Sequence, residues 1–101
     1  MENVTENKVK ELLSEGKKVL VDFWAPWCGP CKTLIPRLEN LETQHPDVTF
    51  VKIDVDQNQD YAMSLGIRGV PTVIIYNGET LVDRTSGVQP DGHYKDVLNN
   101  L

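Results

Sequence analysis

The chain has two cysteines, Cys28 and Cys31, and both lie in the stretch Trp27-Cys28-Gly29-Pro30-Cys31-Lys32. They follow the most apolar run of the N-terminal half, Val19-Leu20-Val21-Asp22-Phe23-Trp24. A cysteine pair spaced this way, after a buried strand and at the opening of a helix, suits redox chemistry. Residues three apart on a helix have side chains roughly 5–6 Å apart, within the reach of a disulfide. The thiol at the helix start meets unpaired N–H groups and the positive end of the helix dipole, which favour its thiolate. Cys28, beside Trp27, is therefore the candidate nucleophile, and Cys31, one turn inside, the thiol that resolves a mixed disulfide. The competing readings are a structural disulfide or half of a zinc site. Zinc takes four ligands, or three and a water. His45 and His93 are the only histidines and lie far apart in sequence, so no metal site is expected.

Gly29 and Pro30 bring no charge between the sulfurs. A histidine there would stabilise the thiolate and make the pair a stronger oxidant; without one the disulfide is relatively stable and the dithiol acts as a reductant. Pro30 also fits the stereochemistry of a first helical turn. Asp22 interrupts the apolar run six residues before Cys28. An unpaired buried carboxylate is costly and holds its proton to a raised pKa. The plainer alternative is a structural pair between Asp22 and Lys52; if the two interact, Lys52 also tunes Asp22. Trp24 reads as packing more than contact.

The elements that must hold these residues follow from periodicity. Val19 to Trp24 reads as a strand buried on both faces. The helix opened by the cysteines runs to about Gln44, with Leu34, Leu38 and Leu41 as its apolar stripe and Pro36 as an interior kink. Before them, Met1 to Val4 leaves room for only a stub of strand. Val9, Leu12 and Leu13 mark a short helix that Gly16 ends, with Lys17 and Lys18 near its negative pole. After them come a strand over 48–54, helical turns over 57–65 and a β-branched strand over 72–76. Asn77-Gly78 signals a hairpin, with the return strand over 79–84. Pro90-Asp91 opens a last helix carrying Tyr94, Val97, Leu98 and Leu101. A β-α-β crossover followed by a hairpin implies a mixed sheet with helices on both faces.

With 101 residues the chain suits one domain, 1–101. Its net charge of −5 argues against a nucleic-acid backbone as a general partner. No run is long enough to span a membrane, and Met1-Glu2-Asn3 does not begin a secretory leader, so a cytoplasmic location is expected. Two cysteines in a reducing compartment point to catalysis or metal rather than a staple.

Asp22-Phe23-Trp24-Ala25-Pro26-Trp27-Cys28-Gly29-Pro30-Cys31-Lys32 resembles the active-site segment of the thioredoxins. Pro36, Lys52-Ile53-Asp54-Val55-Asp56, Arg68-Gly69-Val70-Pro71-Thr72 and Gly87 extend the resemblance, which covers residues 19–101 well and the first eighteen poorly. It implies a thioredoxin fold, with a mixed four- to five-stranded sheet. It implies that Asp22 is a buried acid assisting proton transfer at Cys31, and that Val70-Pro71 is a cis bond. It implies a small apolar substrate surface formed by Trp27, Gly29, Pro30, Val70, Pro71 and Gly87. The expected activity is reduction of protein disulfides, with disulfide-containing target proteins as partners. Regeneration by a flavin-dependent thioredoxin reductase is expected, with no bound cofactor, in a monomer. An oxidase or isomerase of the same fold is the rival enzyme, and a binding module with idle thiols the rival from another class.

Overall fold

The computed structural model describes all of residues 1–101. The elements are β1 (Glu2–Asn3), α1 (Glu6–Ser14), β2 (Lys18–Trp24), α2 (Gly29–Gln44), β3 (Val48–Asp54), α3 (Gln59–Ser64), β4 (Thr72–Asn77), β5 (Thr80–Ser86) and α4 (Asp91–Asn99). The sheet has five strands in the order β1-β3-β2-β4-β5. β1, β3 and β2 are parallel; β4 runs antiparallel to β2, and β5 antiparallel to β4. The stub at the N-terminus is thus a true edge strand of two residues.

β2 is the central strand, and its alternation builds two cores. Val19, Val21 and Phe23 join Val9, Leu12, Ile53, Tyr61 and Ile74 on the side of α1 and α3. Leu20 joins Leu34, Leu38, Leu41, Phe50, Val73, Ile75, Tyr94 and Leu98 on the side of α2 and α4. Side chains two apart on a strand share a face, so Asp22 looks with Leu20 toward α2 and α4. Leu38 lies at 0% exposure in that core. Leu38→Ala should lower the unfolding free energy by about 2–5 kcal/mol, as buried leucine truncations do, which a denaturant titration reads as a lower midpoint at unchanged slope.

Three details differ from the sequence reading. The hairpin loop is Gly78–Glu79, with Asn77 still paired to Thr80. Gly78 supplies the positive φ, +60°, at the first loop position while Glu79 keeps an ordinary one, the sign pattern of a type II′ turn. β5 begins at Thr80 and carries a bulge: Tyr76 faces Leu81 and Ile75 faces Asp83, leaving Val82 as the extra residue. Lys18 belongs to β2 and lies 3.5 Å from Asp47, so it serves the β2–β3 side of the molecule and not the end of α1. Pro36 sits inside α2 at an exposed position, and Lys32, four residues back, receives no helix bond from it. No helix is long and apolar enough to cross a membrane.

Candidate active site

β2 delivers the chain to Ala25, and the cysteines follow as α2 begins. Cys28 is the residue capping α2; the Cys31 N–H donates to Cys28 Sγ at 3.2 Å. Pro30 stands in the first turn, where a missing N–H costs nothing. Cys28 and Cys31 form a disulfide with Cα atoms 5.3 Å apart. The two sulfurs differ in access: Cys28 is 4% exposed and Cys31 is fully enclosed. Ala25, Cys28 and Cys31 make a small cluster against which Trp24, Val55 and Val70 pack.

The loop before β4 closes over Cys28. Val70-Pro71 is cis, and the Val70 carbonyl oxygen lies 3.6 Å from Cys28 Sγ. Pro71 is buried at the entry to β4, where no ladder donor is needed. Its carbonyl accepts the Gly87 N–H at 2.8 Å, which draws the loop after β5 to the same place. Gly87 has φ +79°, a conformation that favours glycine, while the space around it is open. The Val70-Pro71 loop therefore stands against Cys28, and the loop carrying Gly87 is tied to it through Pro71. Gly29 and Pro30 are exposed on one side and Val70 is half-buried on the other.

Trp27 is 70% exposed, an unusual position for so large an apolar side chain. Its indole N–H donates to Asp56 Oδ2 at 2.9 Å, so the ring is held over the surface. Beside it opens a groove of about 150 Å³, lined by Trp27, Val55, Ala62, Ile67, Gly69 and Val70, with Arg68 as the single charged member. Asp56, Ala62 and Ile67 were not singled out from the sequence. Water can satisfy the N–H of an exposed indole, so nothing in the sequence called for Asp56 as the Trp27 acceptor. Ala62 and Ile67 lie on and after α3, and only tertiary packing brings them here.

Asp22 is 0% exposed, and neither carboxylate oxygen has a hydrogen-bond partner in the protein. Burial pushes its pKa up to about 7, against a smaller lowering by the Lys52 charge. The structural pair between Asp22 and Lys52 is not formed. Lys52 stands next to Asp22 in the sheet register, but its ammonium lies over the Trp24 ring, 4.7 Å from the centroid. Trp24 in turn donates its N–H to Asn3 Oδ1 at 3.1 Å. The histidines are spoken for elsewhere: His45 lies between the Leu41 carbonyl and Asn99, and His93 faces Asp83 at 2.8 Å.

The sequence model of the family described as Thioredoxin matches residues 1–100, including the first eighteen that the motif comparison left weak. The thioredoxin of Mycoplasmoides gallisepticum is 41% identical over 99 residues, covering 97% of this chain and 99% of that one. The thioredoxin of Bacillus subtilis is 40% identical over 96 residues, covering 94% and 91%. The solved structure of Fasciola hepatica thioredoxin superposes with a TM-score of 0.89 at 33% identity, covering 99% of this chain and 98% of that one.

Proposed function

This chain belongs to the thioredoxin family and is a thiol-disulfide oxidoreductase working through Cys28 and Cys31; from that premise we propose that it runs as a protein-disulfide reductase, a general electron donor in the cytoplasm. The observation that carries this direction is the pair itself. Nothing cationic lies between the sulfurs, and the one polar contact to Cys28 Sγ from within the helix is the Cys31 N–H. Without a neighbouring cation to hold a thiolate, the disulfide is the favoured state and the dithiol gives up its electrons readily.

The reaction starts from the dithiol. The Cys28 thiolate attacks one sulfur of a target disulfide, the target S–S bond breaks, and the departing sulfur takes a proton. Cys28 is then joined to the target. Cys31 gives its proton to the Asp22 carboxylate and attacks Cys28 Sγ. The Cys28–target bond breaks, the second target sulfur leaves as a thiolate and is protonated as Asp22 gives its proton back up, and two electrons have passed to the target. The chain ends with the Cys28–Cys31 disulfide. A flavin-dependent thioredoxin reductase would return it to the dithiol.

Trp27, Gly29, Pro30, Val70, Pro71 and Gly87 form the surface that would receive the target. The Val70 backbone, whose carbonyl lies against Cys28 Sγ, is where an extended segment could pair as a strand beside the nucleophile. No metal or bound cofactor enters these steps, and a monomer suffices for them. The test of direction is a redox titration. Equilibrated with glutathione couples of increasing reducing power, the pair should stay mostly disulfide where an oxidant-type pair would already be reduced. Reduction by glutathione at mild ratios would point to an oxidase or isomerase instead.

A further inference from the structure

One row of residues crosses the sheet at the level of Asp22. Asn3 on β1 is in register with Lys52 on β3, Lys52 with Asp22 on β2, and Asp22 with Val73 on β4. Facing residues of paired strands share a face. The outer end of this row is tied together through Trp24. The Asn3 side-chain oxygen accepts the indole N–H at 3.1 Å, and the ring carries the Lys52 ammonium 4.7 Å from its centroid. We propose that Asn3 and Trp24 are positioning residues for proton transfer at Asp22: Asn3 fixes the indole, and the indole's face holds the Lys52 charge beside Asp22 without letting it close into an ion pair. The proposal rests on the reading of Asp22 as the proton acceptor.

The physical basis is a compromise between two failures. An ion pair would keep the carboxylate ionised and too weak a base. A lysine free in solvent would leave a buried acid with nothing to offset its desolvation. An aromatic face attracts an ammonium and fixes its place without neutralising it. Asn3 is the last residue of the two-residue edge strand, and its side chain reaches Trp24 from that edge of the sheet. The Val4 N–H bonds to the Lys52 carbonyl at 2.8 Å, so the backbones of the two anchors are joined as well.

The other charged and titratable groups around Asp22 leave Lys52 as the adjustable one. β3 also carries Asp54, which accepts the Asp56 N–H. α4 presents Tyr94, whose hydroxyl accepts the Gln89 N–H, and its Asp91 is taken by Arg37 of α2. His93 of α4 is bound to Asp83 of β5. Lys32 and Glu39 of α2, and Lys95 and Asp96 of α4, are exposed, and Glu42 of α2 is half-buried. β4 contributes Val73, which has no charge.

The experiment follows the Asp22 carboxyl directly by carbon NMR in the oxidised protein and, separately, the pH profile of disulfide reduction. Asn3→Ala should free the indole and let Lys52 drift into solvent, moving the Asp22 midpoint to higher pH by about half a unit. On the acid side of the profile the rate should fall about threefold at fixed pH. Asn3→Gln, which keeps an acceptor, should return the midpoint toward the parent. Trp24→Phe keeps a ring and loses the N–H, so it should move the midpoint in the same direction as Asn3→Ala. Lys52→Gln should raise the midpoint, and Asn3→Ala added to it should move nothing further. A parent-like midpoint in Asn3→Ala, or the same displacement on the Lys52→Gln background, would overturn the proposal. A midpoint that moves while the pH–rate profile stays fixed would show Lys52 anchored as described but remove Asp22 from the proton-acceptor step, and the positioning role for proton transfer would fall with that reading.

Discussion

Cys28→Ser is expected to reduce turnover of protein disulfides to background, and Cys31→Ser to stop the same reaction one step later. The chain has no third thiol to take over either role. With Cys28 gone, the sulfur that remains is fully enclosed, and a target disulfide several ångströms wide cannot reach it. With Cys31 gone, Cys28 still attacks, but nothing inside the protein displaces the target from it. The Cys31→Ser protein should therefore accumulate as a mixed disulfide with the target on Cys28. Intact-mass measurement after mixing with a disulfide-bonded protein reads this directly, and a reductant should release both partners. An adduct that forms on Cys31 in the Cys28→Ser variant, with none on Cys28 in the reciprocal one, would reverse the two roles. If Cys28→Ser kept the chain's biological effect intact, the fold would be serving as a binding module with its thiols idle.

Most of what makes that prediction was legible in the sequence, because it depends on local spacing. The cysteine pair at a helix start, Pro30 in the first turn and the apolar stripe Leu34-Leu38-Leu41 are each set by residues within a turn or two of one another. The cis bond before Pro71 was legible only through the resemblance, since no rule of local propensity selects cis at one proline of six. The hairpin shows how fine the limit is. Asn77-Gly78 correctly marked a turn, but the glycine's positive φ sits at the first loop position, so Asn77 stays in β4 and Glu79 enters the loop. What could not be read is anything that depends on the register between strands. The Asn3–Lys52–Asp22 row joins three segments, and the sequence left an Asp22–Lys52 pair open as the plainer alternative to a buried, unpaired acid. The structure instead gives the ammonium to Trp24, whose ring is held from the edge of the sheet. The groove beside Trp27 was hidden for the same reason, since α3 supplies Ala62 from a stretch with no motif of its own.

Asp22→Asn should separate the cost of this acid from its use. Its pKa is raised from 3.8 to about 7 because burial penalises the charged form. Well below pH 3.8 the carboxyl is protonated in both the folded and unfolded chains, and it contributes nothing that depends on pH. Between about 4 and 7 the unfolded chain gives up this proton while the folded one keeps it, so rising pH favours unfolding. Above about 7 both have lost it, and the whole penalty is present, up to about 4 kcal/mol from the separation of the two pKa values. The asparagine variant has no such penalty. Its stability should match the parent's near pH 4 and exceed it by a few kcal/mol at pH 8, with the gap opening across the interval between. Denaturant titrations at three pH values are enough to see it. Activity should move the other way. A base with its pKa near the working pH is half available and still strong enough to accept a thiol proton. Removing it should slow resolution by Cys31 by about ten- to a hundredfold at neutral pH, at or below the low end of what positioned acid–base groups contribute. The limb of the pH–rate profile near 7 should vanish with it. A variant that gains stability at pH 8 yet keeps parent kinetics from pH 6 to 9 would leave Asp22 as a buried acid without a catalytic task. One that loses rate without gaining stability would mean that Asp22 is ionised at lower pH than its burial dictates.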